Sequence, residues 1–173
     1  MGRTPEASEI AANRYSKFLQ ALHEPSLLEL AQRDPNAEAY RLLWLRESDR
    51  PASIRFVPKP GGTGWFYRHM TNGTGGAQPG HLSDSGMSWS WKSRTASFLS
   101  IVERVEFWNL PTLADDDRNS IPSCRAHWIL EGIRNGQYHV VDRCSPDQAD
   151  PVRVVGIMAM KLGSLRVHGR SVY

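Results

Sequence analysis

The chain has 173 residues, of which 40% are hydrophobic, including six Trp, five Tyr and five Phe. This length and composition suit one folded domain with a substantial core and exclude an intrinsically disordered chain. Lys and Arg number 21 against 18 Asp and Glu, which gives a net charge of +3. No run of like charge is long enough to form the basic stripe of a nucleic-acid-binding protein.

The sequence also bears on the compartment of the protein. No apolar run approaches the roughly 20 residues that a membrane-spanning helix requires. The first residues, MGRTPEASEIAANRYSKF, lack the apolar segment of a secretory signal peptide. We therefore expect a cytoplasmic protein, or a periplasmic one if a leader has been removed from the chain.

Two helices are predicted before the first strand. Apolar residues near helical spacing indicate a helix over residues 6–23, which Pro25 ends. Ser26 and Glu29 then form a capping-box pattern, in which each side chain can bond a free backbone amide of the first turn. This pattern predicts a short second helix that runs to about residue 33.

Four strands are predicted next, because short segments with alternating apolar residues are separated by turn residues. The first of them reads EAYRLLWLR and has apolar residues on both faces, which is typical of a central strand. The predicted strands cover residues 38–46, 53–57, 65–70 and 87–92.

A third helix is predicted after the fourth strand. Thr95 is a candidate N-cap for a helix over residues 96–107, and the core-facing positions of that helix hold Phe98, Ile101, Val102 and Val105. Trp108 and Pro111 follow, and we expect them to form a buried corner that docks this helix on the sheet.

The strongest local signal is Asn135-Gly136, which stands between two alternating apolar segments. Both central residues of a type I′ turn need positive φ, and Asn-Gly accepts this conformation well. A two-residue turn therefore fixes the register of a C-terminal hairpin. Asp150 and Pro151 then match the N-cap and first position of a last helix over residues 152–162.

The element order is thus ααββββαββα, which predicts an α+β fold. We expect an antiparallel sheet of about six strands, a meander followed by the C-terminal hairpin, packed against helices that cover one face. Residues 1–173 would form a single domain, with a helical segment over residues 1–36 and an α+β core over residues 37–165.

The two cysteines are too few for a zinc site or a disulfide framework. Cys124 and Cys144 lie at opposite ends of the predicted hairpin, but its register places Cys144 opposite His127. The two cysteines would then point to opposite faces, and a bridge would need a bulge or a frayed strand end. The sequence therefore favours free thiols over a disulfide.

No motif for a cofactor or a metal is present. The glycine segments at residues 61–64 and 73–76 match neither the dinucleotide-binding nor the P-loop pattern, and no predicted helix follows them to hold a phosphate. The six histidines lack metal-ligand spacing. We interpret the glycine segments as turns and expect neither a cofactor nor a bound metal.

Acidic residues are the candidate functional groups. The hairpin register places Glu131 and Asp142 on one face, together with His127 and Tyr138. Paired carboxylates can act in acid–base catalysis, but on a sheet they more often form ion pairs that hold the register. Three further acids lie in the loop over residues 112–123, where exposure to solvent explains them more simply than binding: Asp115, Asp116 and Asp117.

Several of these segments together resemble a family of small, uncharacterised bacterial proteins, some of which carry export signals. The matching segments are YRLLWLR at 40–46, TGGAQPGHL at 74–82, FWNLPT at 107–112 and WILEGIRNGQYHVVDRCSP at 128–146. The chain departs from the family pattern at Ala77, where an aromatic residue is common, and at Cys144, where Trp is common. The resemblance implies no activity, and it assigns no role to the matching Glu131, Tyr138, His139, Asp142 and Arg143.

We expect a non-enzymatic binding protein, and specifically a bacterial immunity protein that neutralises a cognate secreted toxin. Such inhibitors act by shape and charge complementarity at a protein interface. The expected partner-binding residues are Asp115, Asp116, Asp117, Glu131 and Asp142. Two alternatives stay open: a small hydrolase-like enzyme that uses Glu131, Asp142 and a histidine, and a structural or envelope-associated protein.

Overall fold

The computed structural model describes residues 15–76, 78–113 and 124–165. Residues 15–21 are helical and are named α1. The following elements are α2 (Leu27–Arg33), β1 (Ala39–Arg46), β2 (Ala52–Lys59), β3 (Thr63–Thr71), β4 (Leu82–Ser90), α3 (Lys92–Arg104), a 3-10 turn (Phe107–Asn109), β5 (Ala126–Arg134), β6 (Gln137–Cys144) and α4 (Pro151–Leu162). The predicted order of helices and strands is confirmed.

The strands form one six-stranded sheet in the order β4-β3-β2-β1-β5-β6, and every neighbouring pair is antiparallel. The first four strands make the predicted meander, and the C-terminal hairpin adds to the free side of β1. All eight residues of β1 are buried, as its two apolar faces predicted. The fold is therefore α+β with an antiparallel sheet.

The turn between β5 and β6 has the predicted conformation. Asn135 has φ 53° and Gly136 has φ 69°, so both central residues lie in the left-handed region that a type I′ turn requires. Arg134 pairs with Gln137, and Cys144 pairs with His127, which confirms the predicted register of the hairpin.

Helices cover both faces of the sheet, so the expectation of one covered face is wrong. Helices α3 and α4 enclose the larger core, in which the rings of Trp44 and Trp128 lie 5.4 Å apart. Helices α1 and α2 pack on the opposite face, where Leu22 lies in a cluster with Leu43. The cause is the apolar pattern of the central strands, which offers a hydrophobic surface on each side.

The third helix begins earlier than predicted. It starts at Lys92, directly after β4, and Thr95 lies buried inside its first turn instead of capping it. The Thr95 hydroxyl donates to Oγ of Ser90 at 2.9 Å. The expected corner is also wrong in part, because Trp108 is only half-buried and Pro111 is exposed, whereas Phe107 is fully buried.

The cysteines form a disulfide between Cys124 and Cys144, with Cα atoms 5.4 Å apart. The expectation of free thiols is therefore wrong. Cys124 lies before β5 begins at Ala126, so the pairing rule that would send the two side chains to opposite faces does not apply to it. The bridge forms at a frayed strand end, which is one of the two conditions under which the predicted register allows a disulfide.

Candidate functional site

A network of buried charges lies on the sheet face beneath α1 and α2. Glu24, in the loop between these helices, is surrounded by donors from three strands. Its carboxylate accepts hydrogen bonds from Nε of Arg55 at 2.8 Å and from the hydroxyl of Ser53 at 3.0 Å, and it contacts Nδ1 of His69 at 2.8 Å. The side chain of Glu24 is fully buried. These bonds hold the helix–helix loop on the sheet.

Arg41 in β1 connects this carboxylate to a second one. Its Nη1 donates to the carbonyl of Pro25 at 2.6 Å and lies 3.4 Å from Glu24. Its Nε and Nη2 both contact Oε2 of Glu131, at 2.8 and 2.6 Å. The hydroxyl of Tyr138 donates to the other oxygen of Glu131 at 2.8 Å. Two buried carboxylates are thus matched by two arginines.

The network alters the proton affinity of its members. Burial by itself raises the pKa of Glu24, but the His69 hydrogen bond and the charges of Arg41 and Arg55 outweigh it and lower the pKa to about 2. Burial and the nearby Glu131 carboxylate raise the pKa of Tyr138 well above its ordinary value. Glu24 therefore stays ionised and Tyr138 stays protonated near neutral pH.

A second, smaller polar cluster surrounds Asp142 on the same face. Tyr15 of α1 donates its hydroxyl to Asp142, and Nδ1 of His127 lies 3.2 Å from the other carboxylate oxygen. This is the side-chain pairing that a histidine base needs for orientation. In the structure it also connects α1 to the outer hairpin strand.

A cavity of about 410 Å³ lies between the two clusters. Leu43, Ile129 and Val140 form an apolar part of its wall, and Glu131 and Tyr138 line its polar part. The guanidinium of Arg41 donates to Glu24, Pro25 and Glu131, so the charges of this group at the cavity are already matched within the protein.

The predicted site residues have different positions. Glu131 and Asp142 lie on the predicted common face with His127 and Tyr138, but they are only 5% and 6% exposed. Asp115, Asp116 and Asp117 lie outside the residues that the structure describes. Contact of any of these five acids with a partner stays a prediction.

One group of functional interest was not predicted from the sequence: Arg41, Arg55, Glu24 and His69. A signal was present at Arg41, because a charged residue in the middle of the apolar segment YRLLWLR must find partners once it is buried. Its main partner, Glu131, is its direct neighbour across the strands. Glu24 comes from a loop, and no sequence pattern connects it to the sheet.

An exposed aromatic surface occupies the other half of the same sheet face. We name it the aromatic face and define it by Trp65, Tyr67, Met87, Trp89 and Trp91. The hydrophobic clusters beneath α1 and α2 contain residues of β1, β2, β5 and β6, whereas this surface lies on β3, β4 and the residue after β4. Its rings touch, with centroid distances of 4.8 Å for Trp65–Trp89 and 6.2 Å for Trp89–Trp91.

Exposure distinguishes this surface from the core. Met87 is 65% and Trp91 is 66% exposed, the two most exposed large hydrophobic side chains among the described residues. Arg55, which binds Glu24, also lies over the ring of Tyr67 at 4.6 Å and so borders both halves of the face. Contiguous exposed apolar surface is typical of a binding site for a protein or a membrane.

Comparisons with known proteins gave no identification: no family model matches the sequence, and no curated protein is significantly similar to it. Among the described residues, no helix has the length and apolarity to cross a membrane. The same part of the chain contains no group of three or more His, Cys, Asp or Glu side chains arranged to hold a metal ion.

Proposed function

We propose that this protein is a binding domain that docks a protein partner through the aromatic face. The observation that carries the proposal is the two-thirds exposure of Met87 and Trp91 on a sheet surface beside other tryptophans. Trp, Tyr, Met and Arg are the residues most enriched at the centres of protein interfaces. Arg55, beside Tyr67, adds a charged group at the border of the surface.

The buried clusters support a structural role for the two hairpin carboxylates. Glu131 is held by Arg41 and Tyr138, and Asp142 by Tyr15 and His127. Each carboxylate therefore already has its hydrogen-bond donors within the folded chain, which is how buried charges are stabilised. This supports a structural role for the two carboxylates, and the proposed function rests on the aromatic face.

Within this class, we propose that the partner is a secreted bacterial toxin and that the protein is its immunity protein. The support is indirect: a small chain without a cofactor motif and with an exposed surface of interface composition. The candidate toxin is the product of a neighbouring gene. Co-expression with the immunity protein should restore growth of cells that the toxin otherwise kills, and absence of protection would contradict this part of the proposal.

The disulfide supports an oxidising compartment. Bridges such as Cys124–Cys144 persist in the periplasm and outside the cell, whereas cytosolic thiols are kept reduced. We therefore propose that the protein acts in the periplasm, as a leader-bearing precursor would allow. Mass measurement of alkylated protein isolated from its native cell tests this: two modified thiols without prior reduction would place it in a reducing compartment.

The test of the binding surface is affinity for an identified partner. Trp91→Ala should weaken binding by roughly 30-fold or more, because a central tryptophan contributes about 2 kcal/mol or more to an interface. Met87→Ser should weaken it to a smaller extent. Calorimetric titration of the partner with each variant measures both effects.

Val154→Ala provides a matched control. Val154 is the other exposed large hydrophobic residue among the described residues, at 37% exposure, and it lies on α4 on the opposite side of the sheet. This change should leave the affinity as it is. Equal affinities of wild type and Trp91→Ala would exclude the aromatic face as the docking surface.

A further inference from the structure

The two edges of the sheet differ in how they are covered. At β6, the backbone amide of Asp142 donates to the carbonyl of Thr112 at 2.7 Å, and Arg143 donates to the carbonyls of Pro111 and Thr112. A segment of the chain thus crosses this edge. The strand order ends at β4 on the other side, where the described residues place no further strand. An edge of this kind can pair with another strand.

The sequence of β4, LSDSGMSWS, contains few of the features that protect an edge strand. It has neither proline nor lysine, and its one charged residue, Asp84, is paired with Arg68 at 3.3 Å. A bulge at the Met70/Thr71 register shift leaves Ser83 with no residue opposite it in β3, although its hydroxyl donates to the carbonyl of Met70 at 3.3 Å. The bulge limits regular pairing to the part of β4 that follows. Met87 stands exposed in that part.

We infer that β4 pairs with β4 of a second copy of this chain, antiparallel and centred on Gly86. In this register Met87 lies opposite Ser85 of the partner copy, and Asp84 lies opposite Ser88. Each larger side chain meets a serine, the two glycines meet each other, and no two like charges are directly opposite. Such self-complementarity is what a two-fold interface requires.

Pairing of two β4 strands also changes the proposed binding surface. This part of the inference rests on the proposed function. The two-fold axis of an antiparallel edge pair is perpendicular to the sheet, so equivalent faces of both copies lie on the same side. The aromatic faces of the two copies would join at the centre of a twelve-stranded sheet. Helices α1 and α2 of one copy would lie on one side of the joined aromatic faces, and those of the second copy on the other side. The space between the two pairs of helices would form a groove.

The interface is small, and dimerisation should depend on concentration. A pair of short strands buries less area than the roughly 1,600 Å² of a standard interface, so we expect dissociation in the micromolar range. Sedimentation equilibrium over a range of concentrations should show a monomer and a dimer in exchange. A monomer at every concentration up to the millimolar range would overturn the inference.

Two double variants test the register. The variant Ser85→Glu with Met87→Glu places like charges opposite each other twice, and it should lower the association constant at least tenfold. The variant Ser85→Glu with Met87→Lys places opposite charges at the same positions, and its association constant should stay near that of the wild type. Equal association constants of the two variants would exclude pairing about Gly86.

A cross-link gives an independent test. Residues directly opposite each other in an antiparallel pair have Cα atoms about 4.5–5.5 Å apart, within the range that a disulfide spans. Gly86→Cys should therefore yield a covalent dimer on oxidation; the atom nearest to its Cβ would be Nη2 of Arg68, at 3.0 Å, at the far end of a long side chain. Ser100→Cys, exposed on α3, should stay monomeric under the same conditions. A Gly86→Cys protein that cross-links no more than Ser100→Cys would contradict the pairing.

The two proposals fail in different ways. A strictly monomeric protein that loses affinity for its partner in Trp91→Ala would overturn the dimer and leave the aromatic face as the docking surface. In that case, β4 would pair with a strand of the partner protein or with no strand at all. A dimer whose partner affinity is unchanged in Trp91→Ala would support the pairing and overturn the proposed docking surface.

Discussion

One face of the sheet has two halves with opposite chemistry. Beneath α1 and α2, the strands carry charged side chains that are buried and matched, with Arg41 between Glu24 and Glu131. On β3, β4 and the residue after β4, the same face carries aromatic side chains that are half-buried or exposed, among them Trp89 and Trp91. A sheet face normally places apolar residues under cover and polar ones in water; here matched charges are buried among the apolar clusters of the covered half, and aromatic side chains are exposed on the other half. Charges under cover need specific partners, and the exposed rings are the basis of the proposed docking surface.

The largest effect on stability is expected from the covered half. Arg41→Ala removes a group that contacts both buried carboxylates and leaves Glu131 without its main cation. Breaking a buried ion pair from one side costs about 3–5 kcal/mol, because the remaining charge is uncompensated. Urea unfolding followed by far-ultraviolet circular dichroism measures the loss. Arg50→Ala, an exposed arginine of the β1–β2 turn, is the control and should change stability little.

The charge network should also make the free energy of unfolding depend on pH. The pKa of Glu24 is about 2 in the folded protein against an ordinary value of 4.5, so the unfolded chain binds a proton first as the pH falls. The stabilisation is fully present above pH 4.5 and is lost as the pH falls toward about 2. It amounts to about 3 kcal/mol, since a tenfold change in proton affinity corresponds to about 1.4 kcal/mol.

Glu24→Gln isolates this contribution. Its free energy of unfolding should be lower than that of the wild type at neutral pH and should fall less steeply in acid. Unfolding curves at a series of pH values between about 6 and 2 provide the comparison. Parallel pH profiles of the two proteins would show that Glu24 is not the source of the acid sensitivity.

A smaller effect is expected from Tyr138→Phe. The change removes one hydrogen bond to Glu131 but leaves the two contacts of Arg41 with that carboxylate. A hydrogen bond to a charged group contributes about 1.5–3 kcal/mol, and the remaining partners should limit the loss to the lower end. Thermal unfolding detects it, and a loss as large as that in Arg41→Ala would mean that Tyr138 organises the network.

The smallest effect on stability is expected from the uncovered half. Trp91→Ala removes a ring that is two-thirds in solvent, and the free energy of unfolding should change by about 0.5 kcal/mol or less. The same variant is the one expected to weaken partner binding most. A large loss of stability would place Trp91 in the core and remove the contrast between the two halves.

Local patterns predicted most of the fold because local chemistry decides those features. The two apolar faces of YRLLWLR indicated the central strand, and Asn135-Gly136 set the hairpin register through its positive φ values. That register in turn placed Glu131 and Asp142 on one face, as observed. These features depend on neighbouring residues or on direct pairing across one turn.

The features that sequence did not predict depend on contacts between distant segments. Glu24 meets His69 across 45 positions of the chain, and this requires the position of α1 on the sheet to be known first. The Cys124–Cys144 bridge depends on where β5 begins, which strand patterns define poorly. The aromatic face was not predicted because its tryptophans have core spacing, and periodicity cannot show that the described helices leave this face of β3 and β4 uncovered.

The central position of β1 has a consequence for the order of folding. β1 pairs with β2 across a short turn, but its other neighbour, β5, begins at Ala126, 80 positions after Arg46. Closing the longer loop costs more entropy, so the pairing of β1 with β2 is expected before its pairing with β5. Until the C-terminal hairpin docks, the other side of β1 is an unpaired edge that another chain can join, and a chaperone that covers this edge would raise the yield of folded protein.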